Sequence, residues 1–185
     1  SEASVLQSRD SAAMETDAVA PITTFAVGDA VTWTSADADI PEGTVFEASS
    51  VSEFVDSAMP AFELIEDRAA NYSNLDPLSL IADNAWCGGI VIGSPLKSWR
   101  DVDLANQPAK LSYNGEIEYT NTSAAMGNPL NSLAWLATLL AEQGRSLKAG
   151  DIVMSGSTLA TKFANKGDRA CYEVEEIGAV EVSIE

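Results

Sequence analysis

The chain contains no histidine. That removes Ser-His and Cys-His nucleophile pairs, imidazole metal sites and histidine general bases. Chemistry therefore falls to carboxylates, lysine, cysteine, tyrosine and hydroxyl groups. Glu63 is the one acid in the apolar run AFELI (61–65), where a charge is costly unless paired; Arg68 is the base that follows it. Asp29 follows Gly28 and reads most simply as a turn residue. Asp37 and Asp39 form an Asp-x-Asp pair inside the acidic stretch ADADIPE (36–42), which lacks the spacing of a known calcium loop. Two cysteines, Cys87 and Cys171, allow one disulfide at most, and the plain expectation is two buried thiols. No base adjoins Cys87 to lower its pKa, so it is a poor nucleophile. Ser155-Gly156-Ser157 places hydroxyls at a strand end, where Ser157 serves either to bind a carboxylate or to close the strand.

These residues must be positioned by a modest set of elements. Residues 25–34 (FAVGDAVTWT) have the β-branched and aromatic content of strands. Residues 51–59 (VSEFVDSAM) place Val51, Phe54, Val55 and Ala58 at helical spacing, with Pro60 expected to stop the helix. Residues 84–92 (NAWCGGIVI) read as a glycine-kinked turn feeding an apolar strand. Lys110 to Thr120 reads as a hairpin, because Asn114-Gly115 supplies the two positive φ angles of a type I′ turn. Asn128-Pro129 marks a helix start, and Leu130, Leu133, Ala134, Ala137 and Leu140 follow on one face up to Gly144. Trp135 is expected in the core with that stripe. Strands are expected over 152–154 and 173–184.

One main helix, one or two short helices and about seven strands lack a βαβ rhythm, which predicts an α+β fold with a mixed, strongly bent sheet rolled into a near-barrel. The 185 residues fit one domain over 21–185, behind a loose arm over 1–20. No apolar run has the length of a membrane-spanning helix. The net charge of −18 disfavours a nucleic-acid or anionic-membrane partner. The acids are unevenly spread: residues 1–96 carry sixteen acids against two bases, and residues 97–185 twelve against eight.

From Pro60 onward the chain resembles the 2-keto-4-pentenoate hydratase / 4-oxalocrotonate decarboxylase family, within the fumarylacetoacetate-hydrolase-like superfamily. The stretches that carry the resemblance are PAFELIEDR (60–68), DNAWCGGIVIG (83–93), the run from Asn114 to Ser157 with its hairpin, its Gly-x-Pro helix start and its Leu-Lys-Ala-Gly-Asp turn, and KGDRACYEVEEIGAVEVSI (166–184). Their order and spacing together are hard to reach by chance. The resemblance implies a rolled sheet around a mouth that holds a small 2-oxo acid. It also implies a divalent cation, Mg²⁺ or Mn²⁺, that chelates the acid and stabilises an enolate. Three carboxylates would hold the cation: a Glu-x-Glu pair on one strand and the Glu of the apolar-Glu-apolar strand, matched by Glu63. Aligned on Asp39-Ile40-Pro41, the pair falls near Asp29 and Val31, so Asp29 is the second candidate ligand and the pair itself is incomplete. Ser157 matches a position near substrate. Trp86 and Cys87 stand where the family has two small polar residues at the mouth. The family's N-terminal segment with its active-site lysine has no counterpart here.

Three readings follow: a family relative that has lost its metal-dependent lyase chemistry, needs no cofactor and serves as a binding, structural or assembly component; an active hydratase or decarboxylase with a remodelled Mg²⁺ or Mn²⁺ site; and one subunit of a hetero-oligomer completed by an active homologue. By resemblance the setting is a cytoplasmic homo- or hetero-oligomer, with export after processing as the alternative.

Overall fold

The computed structural model describes residues 24–34, 40–68 and 70–185. The arm over 1–20 and the pair Asp37 and Asp39 lie outside these residues. The fold is α+β and its strands divide into two antiparallel sheets. The first has the order β3-β2-β1-β6, built from β1 (Thr24–Trp33), β2 (Val55–Ile65), β3 (Cys87–Ile92) and β6 (Ile152–Ser157), with the short β7 (Lys162–Phe163) also paired to β1. The second has the order β5-β4-β8-β9, from β4 (Pro108–Tyr113), β5 (Glu116–Asn121), β8 (Arg169–Val174) and β9 (Gly178–Ser183). Among the described residues three α-helices accompany them: α1 (Ala48–Val51), α2 (Pro77–Ala82) and α3 (Pro129–Glu142).

Local chemistry explains the elements that the sequence announces. Asn128 caps α3 by accepting a hydrogen bond from the Leu130 amide at 2.9 Å, with Pro129 at the first helical position, and Gly144 beyond its end takes φ +63°. The β4–β5 turn is type I′ in character, with Asn114 at φ +51° and Gly115 at φ +90°. Its tip is tied to the turn that precedes β8: Tyr113 Oη and Asn114 Nδ2 both donate to the Asp168 carboxylate, which is held below the usual carboxylate range chiefly by the tyrosine's hydrogen bond. The Leu-Lys-Ala-Gly-Asp turn docks on β1, where Gly150 N donates to Trp33 O and Trp33 N to Asp151 O, both at 2.9 Å.

Two expectations fail for tertiary reasons. The predicted helix over 51–59 ends at Val51, a 3₁₀ turn follows over Ser52–Phe54, and the chain then runs as β2 straight through Pro60. Proline survives there because its backbone groups face the β3 side where that strand ends: its carbonyl accepts from Gly93 N at 2.9 Å just past β3, and its missing N–H falls at that ladder end and not between β1 and β2. Trp135 is 63% exposed, whereas Leu130, Leu133, Ala134 and Ala137 are buried. One residue beyond Ala134, it lies about 100° round the helix from the buried stripe.

One core draws on both sheets and on α3. Val27, Val31 and Trp33 of β1 and Phe62 of β2 pack with Leu111 of β4 and with Tyr172 and Val174 of β8. Trp33 stacks on Phe54 at 5.0 Å between centroids, and Phe46 meets both rings edge-on. The acids of the run 172–176 are exposed, while Tyr172 and Val174 alternate inward. On its other face the first sheet packs a smaller apolar group, Ala30, Met59 and Ala61 with Ile92, Ile152 and Met154.

β1 and β6 approach unusually closely at Gly28. A Cβ on Gly28 would stand 2.1 Å from the Gly156 carbonyl oxygen, a backbone atom with no side-chain freedom to give way. Gly28→Ala is therefore expected to destabilise the fold at the upper end of the ~1–3 kcal/mol range for overpacking, read as a lowered urea midpoint. An unchanged midpoint would show that the β1–β6 contact is looser than described.

Candidate functional site

Strand parity decides which residues can meet. In the β1–β2 register Glu63 pairs with Ala26 and Asp29 with Pro60. Directly paired residues share a sheet face and neighbours along a strand alternate, so Glu63 and Asp29 point to opposite sides of the sheet. They cannot join at one cation. The expectation that Asp29 is the second ligand beside Glu63 thus meets a geometric obstacle that linear spacing does not reveal.

Around Glu63 the structure gathers a definite set. On β1 its face carries Thr24, Ala26, Gly28 and Ala30, on β2 Ala61 and Ile65, and on β3 its paired residue is Ile90. After a register shift Cys87 pairs with Ile65 and so reaches the same side. Burial pushes the Cys87 thiol pKa up first, and the adjoining Glu63 carboxylate, to which the thiol donates, pushes it further. A thiol so held is a poor nucleophile. No base lies within ion-pairing distance of Glu63 among the described residues; Arg68 pairs instead with Asp83 and, at 3.7 Å, with Glu66.

Trp86 and Cys87 are placed by a strained turn. Asn84, Ala85 and Trp86 take φ of +51°, +48° and +62°, three successive non-glycine residues in the left-handed region. Each costs about 1–2 kcal/mol. The turn is held by Trp86 N donating to Asp83 O at 2.9 Å, Glu66 N to Trp86 O at 2.8 Å and Asn84 Nδ2 to Cys87 O at 3.2 Å. It lays Trp86 edge-on against Tyr72, with centroids 5.2 Å apart. Ser157 pairs with Gly28, and its hydroxyl donates to Leu159 O at 2.6 Å, with Val27 O at 3.2 Å as a longer partner. The structure therefore brings Glu63, Cys87 and Ser157 to one side of the first sheet. Both cysteines are free and half-buried rather than fully buried.

Asp29 sits elsewhere, in the seam between the sheets. It is 3% exposed, and neither carboxylate oxygen has a hydrogen-bond partner. Burial pushes its pKa up to about 7. Beside it Tyr172 Oη and Thr158 Oγ1 share a hydrogen bond at 2.9 Å; burial raises the tyrosine pKa, and the Asp29 charge raises it further. Sequence reasoning took Asp29 for a turn residue because Gly28 precedes it. The signal that identifies it as an inward position is the alternation Val27, Asp29, Val31, Trp33.

This architecture and these residues define a class. The family described as Fumarylacetoacetate (FAA) hydrolase C-terminal matches residues 42–185, and the chain belongs to it. Its similarity is to 4-oxalocrotonate decarboxylase of Pseudomonas putida, 35% identical over 127 residues covering 68% of this chain and 48% of that protein. It is likewise similar to 2-keto-4-pentenoate hydratase of Paraburkholderia xenovorans (strain LB400), 34% identical over 136 residues covering 73% and 50%. The chain thus spans about half the length of these curated relatives. Among solved structures, 4-oxalocrotonate decarboxylase from Pseudomonas putida G7, complexed with magnesium and adipate, superposes with a TM-score of 0.76 at 28% identity, over 86% of this chain and 59% of that one. The family match begins after β1, so the strand facing Glu63 lies outside it.

The cation that the family resemblance implies does not fit the residues described. Every position of β1 on the Glu63 face is Thr, Ala or Gly, and the strand's one carboxylate is on the far side. No group of three or more acids or thiols able to hold a metal occurs among the described residues. At Gly28 the approach of Gly156 leaves no room for a ligating side chain. A hard cation held by one carboxylate keeps most of its waters and binds weakly. Millimolar Mg²⁺ is accordingly expected to shift the melting temperature by less than about 1 °C. A rise of several degrees, abolished by Glu63→Ala, would contradict this.

Proposed function

We propose that this chain is a member of the hydratase/decarboxylase family that keeps the fold but not the metal-dependent lyase chemistry, and serves as a binding or assembly component. One observation carries the reading: Glu63 faces a β1 surface of Thr24, Ala26, Gly28 and Ala30, where the resemblance requires a second and third carboxylate. Without a cation, a small 2-oxo acid would meet the Glu63 charge with no base at ion-pairing distance to offset it. That favours assembly, with copies of itself or with a catalytic relative, over binding of a free small acid. The resemblance assigns Trp86 and Cys87 to the substrate mouth, and the contact of Trp86 with Tyr72 supports reading that mouth as filled. A cytoplasmic oligomer is the setting that goes with this reading. Among the described residues no helix is long and apolar enough to cross a membrane.

The opposing reading, an active enzyme with a remodelled Mg²⁺ or Mn²⁺ site, draws on relatives such as the magnesium- and adipate-complexed decarboxylase. The two part in a direct assay. With Mg²⁺ or Mn²⁺ added, the absorbance of 2-hydroxypenta-2,4-dienoate is expected to decay no faster with the protein than without it. Turnover that depends on metal and disappears in Glu63→Ala would establish the active reading instead.

A further inference from the structure

We propose that the open edge of β5 is a dimer interface: two copies of this chain pair their β5 strands antiparallel about a two-fold axis at Tyr119, joining their second sheets into one. The inference rests on the assembly reading above and deepens it by naming the surface.

β5 is the outermost strand of the second sheet, and no further strand pairs with it among the described residues. Its pairing with β4 runs without a bulge from Pro108 and Asn121 to Tyr113 and Glu116. Thr122 N donates to Gln107 O at 3.0 Å, one step beyond the end of that ladder. By the alternation of an antiparallel pair, the backbone groups of Glu116, Glu118 and Thr120 therefore turn to β4, and those of Ile117, Tyr119 and Asn121 turn to the open edge. Edge strands are usually blunted by a proline, a bulge or an outward lysine. β5 contains neither proline nor lysine, and Lys162 close by is engaged with Glu118 as an ion pair. The side chains that alternate with the acids are apolar and open to water: Ile117 is 52% exposed and Tyr119 78%.

A second copy is the occupant because this edge is complementary to itself. Lys162 offsets Glu118, and Lys110, opposite Tyr119, offsets Glu173 at 3.1 Å. Glu116, at the strand's end, is the acid of β5 left without an ion pair among the described residues. The strip is thus close to neutral in a chain of net charge −18, so two copies approach along it with little repulsion. The register follows from parity and charge, since outward residues must oppose outward residues. An axis at Glu118 would set that carboxylate against its own copy, which is unfavourable. An axis at Tyr119 sets the two phenol rings side by side, Ile117 against Asn121 and Glu118 against Thr120, and gives the outward backbone groups of Ile117, Tyr119 and Asn121 partners. Two short strands bury less than the ~1,200 Å² at the low end of stable interfaces, and each chain closes its own core around Leu111 and Tyr172, so the dimer forms reversibly from folded monomers.

The test is sedimentation velocity over a concentration series for the unaltered chain, Ile117→Pro and Tyr119→Lys, with amide hydrogen exchange of the unaltered chain followed by NMR. The Ile117 N–H faces the open edge, so proline there removes an intermolecular bond and spares the β4 ladder. The unaltered chain is expected to dimerise as its concentration rises, and each variant to weaken the dimer about tenfold or more while keeping the far-UV circular dichroism of the fold. The amides of Ile117, Tyr119 and Asn121 are expected to gain protection with concentration, and those of Glu118 and Thr120 to be protected throughout. If neither variant folds, that exchange pattern decides alone. A chain that stays monomeric overturns this interface and self-assembly through any other. A dimer that both variants leave intact, with those three amides unprotected, overturns this interface and leaves the assembly reading standing. Protection of the three amides in a monomer at every concentration would put another segment of the same chain on the edge, and would also overturn the proposal.

Discussion

β1 is buried on both faces and paired along both edges, and most of the molecule follows from that constraint. Its odd-numbered residues, Val27, Asp29, Val31 and Trp33, enter the core shared by the two sheets. Its even-numbered residues face the other side of the sheet, and those on the side of Glu63 are small: Thr24, Ala26, Gly28 and Ala30. The closeness of Gly28 to the Gly156 carbonyl fixes how near β6 can come. The Leu-Lys-Ala-Gly-Asp turn then hangs from the end of β1 by its two bonds to Trp33. At Gly28 the outer face of this strand has no room for the acidic side chain that a cation would need there.

The same parity separates two acids that look like partners in the linear sequence. Glu63 stands at the half-buried surface of the first sheet beside Cys87, and Asp29 lies in the seam near Tyr172. Neither has the surroundings of a metal ligand among the described residues, for opposite reasons. Glu63 keeps a suitable place but no carboxylate neighbours. Asp29 keeps a carboxylate but lies where neither water nor base reaches it. The strained turn at Asn84–Trp86 survives in this setting and still directs Cys87 towards Glu63. Backbone hydrogen bonds hold that turn, so its geometry does not depend on a bound ligand.

The legible parts of this protein are those in which cause and effect lie within a few residues. Asn128-Pro129 starts α3, Asn114-Gly115 turns the β4–β5 hairpin, and Gly144 follows the helix end, because caps and turns are set by neighbouring backbone. Asp76-Pro77 carries the same helix-start signal, which the reading of the sequence passed over: the Asp76 carboxylate accepts from Leu78 N and Ser79 N at 3.0 Å and begins α2. Pro60 misleads, because whether a strand tolerates proline depends on where its neighbour ends. Trp135 misleads because one step round a helix separates core from solvent. The positions facing Glu63 are invisible in the sequence for a deeper reason: a shift of one residue in pairing exchanges the faces of a strand, and no spacing within β1 reveals its register against β2.

The central claim is that nothing on the Glu63 face completes a cation site. Crystals soaked in Mn²⁺ and measured for anomalous scattering put that to the most direct test. The account predicts no ordered anomalous peak within coordination distance of the Glu63 carboxylate. A full-occupancy peak there, ligated by Glu63 and at least one further protein oxygen, would contradict it.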